Sequence, residues 1–272
     1  MKIIKPRLIF LISILVLNSG IYAEKKTLDR YDLPDYHHTK VITEPTDEEL
    51  EKYNKIIEAD PGNTKAFFER GKIFSARKLF EKAIKDYNEA IKLNNKDSKM
   101  YFERAEAFYA IEEYKKAILD FTAAIKLDDT FALAFRKRSD TYLWLDDPEN
   151  SIKDMTRTIQ LSPNNELLYH NRGLSYLYVI KKEKDYDKAL MDFNKVIEIN
   201  PGYVNAYFER GNIYSLKGEY EKAIEEYNKV IELDGKLAAV YSNRGDIYEK
   251  LGLKEKAAAD HKKAGELRHK GY

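Results

Sequence analysis

Apolar positions recur along most of the chain at the three- and four-residue spacing of amphipathic helices, and the pattern itself repeats. The segment at residues 66–71 has five further copies, and the six end at Gly71, Ala105, Ser139, Gly173, Gly211 and Gly245, which are 34, 34, 34, 38 and 34 positions apart. Each copy is followed by a second amphipathic stretch, such as residues 220–233, and then by a turn such as Pro201 and Gly202. Two helices and a turn therefore form one repeating unit.

The same residue types return at fixed positions when the units begin at Thr64, Ser98, Ala132, Glu166, Val204 and Ala238. The fourth and eleventh positions are aromatic, as in Phe67 and Phe74 of the first unit, and the eighth and twentieth are small, as in Gly71 and Ala83. This 34-residue helix–turn–helix period resembles the tetratricopeptide repeat family across residues 64–272. The resemblance implies an all-α fold, a right-handed α-solenoid of stacked antiparallel helix pairs (a TPR superhelix).

The aromatic and small positions are explained by packing. Small residues allow two antiparallel helices to approach closely, and the rings fill the space on either side. A single repeat cannot bury its apolar face alone, so stacking must supply the core. We therefore interpret the tyrosines as core residues and not as a cofactor site.

The period divides the chain into segments. Residues 24–45 contain Pro34 and Pro45 and predict an extended leader, and residues 46–63 predict a capping helix, or half repeat, in which Thr46 and Glu49 form a capping box. The repeats that follow are residues 64–97, 98–131, 132–165, 166–203 with a four-residue insertion, 204–237, and 238–272 including a C-terminal cap.

The first 23 residues have the layout of a secretory signal peptide. Lys2, Lys5 and Arg7 precede the apolar run 8–17, and Ala23 offers a small residue for cleavage. The run is about half the roughly 20 residues needed to span a bilayer, so a permanent anchor is the weaker interpretation. The alternative is an N-terminal helix of a cytosolic protein, but the run lacks the polar face that such a helix needs.

Two charged positions are shared by all six repeats. The seventh is always arginine and the twenty-third always acidic, and these positions face each other in an antiparallel hairpin. We predict a ladder of buried ion pairs that joins Arg70, Arg104, Arg138, Arg172, Arg210 and Arg244 to Asp86, Asp120, Asp154, Asp192, Glu226 and Asp260. The functional alternative is an anion-binding row of arginines.

The last repeat and the fourth depart from the pattern. The last has Ala258, His261 and Gly265 where earlier repeats have bulky apolar residues, which is typical of a terminal cap and favours a monomer. The fourth has four extra residues, about one helical turn, between Tyr176 and Ala189. We expect the hairpin to lengthen without losing register, and the extension is either a binding edge or a tolerated loop.

The resemblance also implies where a partner docks. In the family the second, fifth, ninth and twelfth positions of the first helices line a concave groove. We carry these positions over to this chain and add the next residue along the chain where it is aromatic. The predicted partner-binding groove then consists of Phe68, Phe102, Tyr109, Leu133, Arg136, Leu143, Trp144, His170, Leu174, Leu177, Tyr178, Phe208 and Asn212. The competing interpretation is that several of these side chains pack against neighbouring helices. Family members that grip a C-terminal carboxylate use a lysine where this chain has Phe208, so that clamp is not reproduced.

The amino-acid composition excludes several kinds of binding and catalytic site. The chain of 272 residues has 47 basic and 46 acidic residues and no cysteine, which excludes disulfides, thiolate metal sites and thiol nucleophiles. The near-neutral charge argues against nucleic acid as a partner, although a local basic patch stays open. The five histidines fit no metal or catalytic motif, and His37 with His38 would bind metal at most adventitiously. We expect no catalytic residues, no cofactor and no resident metal, and hence no enzyme.

The sequence thus favours an exported, periplasmic or secreted, scaffold or adaptor that docks a partner peptide or helix in its groove. The alternative is a structural or assembly component of an envelope complex that uses convex or rim surfaces and leaves the groove empty. No permanent membrane span is expected after signal cleavage. Fold-level resemblance does not identify the partner.

Overall fold

The computed structural model describes residues 45–179 and 185–269, without the side chain of Val179. The predicted signal peptide, nearly all of the predicted leader, and residues 180–184 of the insertion lie outside this part of the chain. The described residues contain helices and no strand. They fall into two compact units that divide between Pro163 and Asn164.

The N-terminal unit contains a capping helix and three helix pairs. These are α1 (Asp47–Ala59), α2 (Thr64–Ala76) with α3 (Phe80–Leu93), α4 (Ser98–Ala110) with α5 (Tyr114–Leu127), and α6 (Ala132–Trp144) with α7 (Pro148–Leu161). Within this unit each helix packs against the next along the chain, and α2 also contacts α4. The first helices of successive pairs are therefore neighbours and present one common face.

The C-terminal unit repeats this plan. It contains α8 (Glu166–Leu174), which continues into a π-helical turn (Ser175–Val179), then α9 (Tyr186–Ile199), α10 (Val204–Leu216), α11 (Tyr220–Leu233), α12 (Ala238–Lys250) and α13 (Lys254–His269). The first helices α10 and α12 contact each other, as α2 and α4 do. Each unit is thus a stack of antiparallel helix pairs, which confirms the predicted all-α solenoid of tetratricopeptide type.

Local sequence sets the helix boundaries. Thr46 Oγ1 accepts a hydrogen bond from the Glu49 backbone at 3.1 Å, and the Glu49 carboxylate accepts one from the Thr46 backbone at 3.0 Å. This is the predicted capping box. Asn63, Asp97, Asp147, Asn165 and Asp185 cap other helices with their side chains.

The turn inside each regular hairpin uses one left-handed residue. Gly218 and Gly252 have φ near +75°, at 77° and 73°, while Lys78, Glu112 and Asp146 have φ of 59°, 62° and 60° at the same place in their repeats. Glycine adopts this conformation without steric penalty, and the other three residues do not.

The small eighth position brings the helices of a pair into contact. A Cβ atom added at Gly71 would lie 2.6 Å from Cε1 of Tyr87, and one added at Gly211 would lie 2.6 Å from Cε1 of Tyr227. Both tyrosines are buried. The rings therefore fill the space that the missing side chains leave, as the sequence pattern indicates.

Candidate functional site

Most predicted groove residues of the N-terminal unit lie at its first-helix face, the surface formed by α2, α4 and α6. Their side chains are partly buried and partly exposed, as shown by Phe68, Tyr109, Leu133, Arg136, Leu143 and Trp144. Phe68, Tyr109 and Leu133 also pack against core clusters. Leu143 belongs to none of the core clusters of the described residues.

In the C-terminal unit four of the predicted groove residues are also at least partly accessible. Tyr178 is exposed, while His170, Leu174 and Asn212 are partly buried. Leu174 packs against a core cluster that includes Phe193.

Three predicted groove residues are core residues, and the expectation that they line an exposed surface is wrong. Phe102 is 3% exposed, and its ring centroid lies 5.6 Å from that of Phe121 and 4.9 Å from that of Phe131. Leu177 is 0% exposed and Phe208 is 9% exposed, 6.0 Å from the ring of Tyr227. In both units neighbouring helices cover these side chains, which was the competing interpretation of the sequence.

The Leu177 position follows from the π-helical turn. Residues 175–179 wind more loosely than an α-helix, so side chains in the turn point in different directions from their counterparts in regular repeats. The turn buries Leu177 and exposes Tyr178. The two helices of the fourth repeat still pair despite the four-residue insertion. This is shown by Arg172, which donates to Asp192 20 residues later, whereas the arginines of the other repeats donate to a carboxylate 16 residues later.

His170 is held among aromatic rings. Its ring centroid lies 5.8 Å from that of Phe193 and 5.1 Å from that of Tyr203. Burial lowers the pKa of His170 to about 4, and its Nε2 atom is buried without a hydrogen-bond partner among the described residues. A neutral, enclosed imidazole of this kind fits a packing role better than proton transfer near neutral pH.

An aromatic cluster lies at one end of the N-terminal first-helix face. Trp144 Nε1 donates a hydrogen bond to the Tyr109 hydroxyl at 2.6 Å. Tyr114 stacks on Trp144 with parallel planes and a centroid separation of 5.6 Å, and meets Tyr109 edge-on at 5.5 Å. The cluster joins α4, α5 and α6 and fixes the orientation of the tryptophan.

Charged side chains occupy the rest of that face. Lys72 donates to Glu69 at 3.0 Å on α2, and Lys137 of α6 donates to Glu106 of α4 at 2.6 Å. Glu103 of α4 lies close enough to these pairs to interact electrostatically with both glutamates and both lysines. This surface thus holds charges of both signs from three first helices.

The first-helix face of the C-terminal unit contains a partly buried polar network. The Tyr178 hydroxyl donates to Glu209 Oε2 at 2.7 Å, and Asn212 Nδ2 donates to the same oxygen at 3.2 Å. Asn212 Oδ1 accepts from the Tyr227 hydroxyl at 2.8 Å and from Asn243 Nδ2 at 3.0 Å. Asn212 and Asn243 are therefore both engaged within the chain, next to the Glu209 carboxylate.

All six predicted arginine–carboxylate pairs are present. In each, Nε and Nη2 of the arginine both donate to the carboxylate. The Nε–oxygen distances are 2.7 Å for Arg70–Asp86, 2.6 Å for Arg104–Asp120, 2.7 Å for Arg138–Asp154, 2.9 Å for Arg172–Asp192, 3.2 Å for Arg210–Glu226 and 2.7 Å for Arg244–Asp260. The two-pronged geometry is the strongest that arginine makes with a carboxylate.

Five of these arginines also connect successive repeats, which sequence reasoning missed. Nη1 donates to a side-chain oxygen on the second helix of the preceding unit, always 16 residues earlier. The acceptors are Asn54 for Arg70, Asn88 for Arg104, Thr122 for Arg138, Asn194 for Arg210 and Asn228 for Arg244. The guanidinium groups of four arginines also lie over the rings of both the fourth and the eleventh positions, as Arg138 does over Phe135 and Tyr142; the other three are Arg70, Arg104 and Arg244.

Metal and membrane features were searched within residues 45–179 and 185–269. No group of three or more histidine, aspartate or glutamate side chains there could hold a metal ion. None of the helices in these ranges combines the length and apolar character needed to cross a bilayer.

Three family models, all described as tetratricopeptide or TPR repeats, match the chain. One matches residues 71–112 and 211–252, another residues 193–225, and the third residues 168–203 and 238–268. A comparison with curated proteins found no match.

Solved structures show the same architecture. MamA is 25% identical, with 61% of this chain and 95% of MamA covered and a TM-score of 0.54. YrrB, described as a TPR protein with an unusual peptide-binding site, is 23% identical over 68% of this chain and 94% of its own, with a TM-score of 0.58. The C-terminal part of a TPR repeat-containing protein from Cytophaga hutchinsonii is 20% identical over 81% and 89%, with a TM-score of 0.70.

Proposed function

Because the chain belongs to the tetratricopeptide repeat family, we propose that it is a protein-interaction scaffold that docks a partner peptide or helix on its first-helix faces. The observation that supports this is the N-terminal first-helix face itself. It carries partly exposed aromatic and aliphatic side chains, including Leu143 outside the core clusters, beside charged groups. Apolar anchors bordered by polar groups are typical of peptide-docking surfaces.

The experiment compares two leucines that differ in which surface they occupy. Leu143 lies on the first-helix face, while Leu119, on the second helix α5, is 69% exposed. Leu143→Glu and Leu119→Glu introduce the same charge into the same unit. Each variant is used for crosslinking capture of partners from the native cell, after circular dichroism has shown unchanged helicity and unfolding midpoint.

If the partner docks on the first-helix face, Leu143→Glu should fail to capture a protein that wild type and Leu119→Glu both capture. If Leu143→Glu captures the same proteins as wild type, docking on the first-helix face is rejected for this unit.

A second candidate function is assembly through the outer surface. Leu119 and Met191, at the same position of the second and fourth repeats, are 69% and 70% exposed on second helices. A partner packed on the second helices would remove these apolar side chains from water, which favours association. Loss of capture by Leu119→Glu alone would favour this candidate over docking on the first-helix face.

We further propose that the protein acts outside the cytoplasm, on the strength of the signal-like residues 1–23. Sequencing the N-terminus of the protein from native cells tests this. A mature chain beginning near Glu24 is expected, and a chain that retains the apolar run 8–17 contradicts it.

A further inference from the structure

The third repeat has a polar interior. Within residues 45–179 and 185–269 five serine or threonine side chains are buried, and four of them lie in α6 and α7. All four are 0% exposed, and buried alanines occupy the same positions of the second repeat. The four residues and their counterparts are Ser139 and Ala105, Thr141 and Ala107, Ser151 and Ala117, and Thr158 and Ala124. Hydroxyl groups therefore replace apolar surface throughout one hairpin.

The same hairpin lacks the aromatic ring that other repeats bury between their helices. Met155 occupies the position at which Tyr87, Phe193 and Tyr227 lie against a glycine of the facing helix. Met155 and Ile159 are buried, but neither belongs to a core cluster of the described residues. The second helix of every other full repeat contributes buried residues to these clusters, and α7 contributes none. Less apolar surface therefore holds this hairpin closed.

The sequence of α7 is also a weak helix former. It is the one second helix of a full repeat without an alanine, whereas α5 has three. Thr156 and Thr158 of α7 donate to the carbonyl oxygens four residues earlier at 2.8 and 2.9 Å, and Thr141 of α6 does the same at 2.7 Å. Bonds of this kind slightly destabilise a helix, and α5 has one, from Thr122. Helix propensity thus does not compensate for the smaller core.

The third repeat is the last repeat of the N-terminal unit. Within this unit it packs against one neighbouring repeat, the second, through α5 and α6. The stability of stacked repeats is approximately the sum of each repeat's own stability and its contacts with neighbours. A small core and a single neighbour within the unit therefore make the third the full repeat of this unit that opens at the lowest free energy.

Two features oppose opening. Arg138 donates to Asp154 through Nε and Nη2, both at 2.7 Å, and the Asp147 side chain caps α7 by accepting from the Asn150 backbone at 3.2 Å. An arginine–carboxylate pair of the same kind closes every repeat, and a side-chain cap also begins α9. These features help the third hairpin to fold, but they do not make it more stable than the others. The difference in apolar burial remains.

Opening of this hairpin would take apart the first-helix face. Trp144 of α6 donates to the Tyr109 hydroxyl of α4, and Lys137 of α6 donates to Glu106 of α4. Leu143, the side chain chosen above to test docking, also lies on α6. When α6 leaves the stack, these contacts between repeats are lost and the face is reduced to α2 and α4.

We propose that the α6–α7 hairpin opens as one cooperative element while α2 to α5 stay folded, and that a partner docked on the first-helix face holds it closed. The inference rests on the proposed docking function and specifies how the docking surface is controlled. While the closed form predominates, a partner makes opening rarer in proportion to its occupancy. Under conditions that populate the open form, such as mild heat, the apparent affinity falls with the closed fraction.

Hydrogen exchange of the full chain, read by mass spectrometry of peptides from each helix, measures opening without a partner. After correction for intrinsic rates, amides of α6 and α7 should exchange at least about tenfold faster than those of α4 and α5. This factor is smaller than the contribution of one fully buried aromatic ring. The amides of α6 and α7 should share one protection factor, because the two helices open together.

The fluorescence of Trp144 gives a second measurement, because it is the only tryptophan of the chain. In urea the fluorescence should change at a lower concentration than the circular dichroism, which reports on all helices. Two separate transitions are the expected sign of a repeat that opens before the rest of the chain.

Two substitutions of equal shape test the cause. Thr158 and Val230 occupy the same position of the third and fifth repeats, and both are 0% exposed. Thr158→Val removes a buried hydroxyl from α7 and should slow exchange in α6 and α7 by about fivefold. Val230→Thr makes the reverse change in α11. It should speed exchange in α10 and α11 and leave α6 and α7 unchanged.

Three results would overturn the inference. They are equal protection of α6–α7 and α4–α5 in wild type, coincident transitions by fluorescence and circular dichroism, and unchanged exchange of α6 and α7 in Thr158→Val. These results would leave docking on a permanently formed face standing if Leu143→Glu still loses a partner. If the hairpin opens as expected but Leu143→Glu captures the same proteins as wild type, the link between opening and docking is overturned instead.

Discussion

Asn88 Oδ1 accepts a hydrogen bond from Arg104 Nη1 at 2.7 Å, and this bond joins the first repeat to the second. The same arginine binds Asp120 of its own repeat through Nε and Nη2. Arg104 therefore holds its own hairpin together and also attaches it to the preceding hairpin. Asn88, Arg104 and Asp120 follow one another along the chain at intervals of 16 residues.

We predict that Asn88→Ala lowers the free energy of unfolding by about 1 kcal/mol, because a partly exposed hydrogen bond to a charged group is lost. Lys85→Ala, at an exposed position of the same helix, should cost less than half as much. Urea unfolding followed by circular dichroism measures both. Equal effects of the two substitutions would mean that the bond between repeats does not contribute to stability.

Arg138→Ala should destabilise more strongly, by about 3 to 5 kcal/mol, because it leaves the buried Asp154 carboxylate without its partner. Replacing both residues with apolar side chains, as in Arg138→Met with Asp154→Leu, should recover most of that loss. Urea unfolding of the two proteins gives the comparison. Loss of partner capture by Arg138→Ala with an unchanged unfolding curve would instead favour the anion-binding interpretation of the arginines.

The third repeat offers a test of buried hydrogen bonding. Ser139 Oγ lies 2.9 Å from the Ser151 carbonyl oxygen and 2.8 Å from Ser151 Oγ, where the second repeat has Ala105 and Ala117. Ser139→Ala leaves the Ser151 hydroxyl unpaired and should cost about 1 to 3 kcal/mol. Ser151→Ala should cost less, since Ser139 retains the carbonyl.

The double variant Ser139→Ala, Ser151→Ala should be nearly as stable as wild type, because both polar groups are gone and the second repeat tolerates the same pair. Chemical unfolding of wild type, the two single variants and the double variant gives a complete double-mutant cycle. If the free energy of unfolding of the double variant falls by the sum of the two single losses, this explanation is contradicted.

Contacts between residues of one hairpin could be predicted from the sequence, whereas contacts between hairpins could not. The ion pairs could be predicted because both partners lie in one hairpin at a fixed spacing. The acceptors on the preceding repeat, such as Asn88 and Asn228, occupy an equally regular position. These bonds join neighbouring hairpins, so they depend on how repeats stack and not on how helices pair within one hairpin, although five arginines have them at a regular 16-residue spacing.

The groove was harder to predict because burial at a given repeat position depends on the neighbouring helix. At the fifth position Phe68 is partly exposed, whereas Phe102 is covered by Phe121 and Phe131. Leu177 is buried within a π-helical turn that no hydrophobic period indicates. Side-chain volumes on adjacent helices, and not the repeat frame, decide such cases.

The left-handed residues in the hairpin turns allow two substitutions with opposite expected effects on stability. Glu112 has φ of 62° where Gly218 has 77°. Glu112→Gly should raise the free energy of unfolding by up to about 1 kcal/mol, since left-handed strain is relieved against the larger entropy of the unfolded glycine. Gly218→Ala should lower it by about 1 kcal/mol, although no atom would clash with the new Cβ. Effects of the same sign at both sites would contradict a conformational origin.

The buried His170 predicts a specific dependence on acid. Burial lowers its pKa in the folded chain to about 4, whereas an unfolded histidine binds a proton near pH 6.5. Between these values the unfolded state binds more protons, so the contribution of His170 to stability falls as pH decreases from 6.5 to 4, by up to about 3 kcal/mol. His170→Phe keeps a ring beside Phe193 and Tyr203 and should abolish this component. The difference in urea midpoint between variant and wild type should therefore grow in favour of the variant as pH falls, and the His170 Cε1 proton should titrate near pH 4 by NMR. A constant difference between the two proteins across this range, or titration near pH 6.5, would show that the imidazole is solvated and open to a ligand.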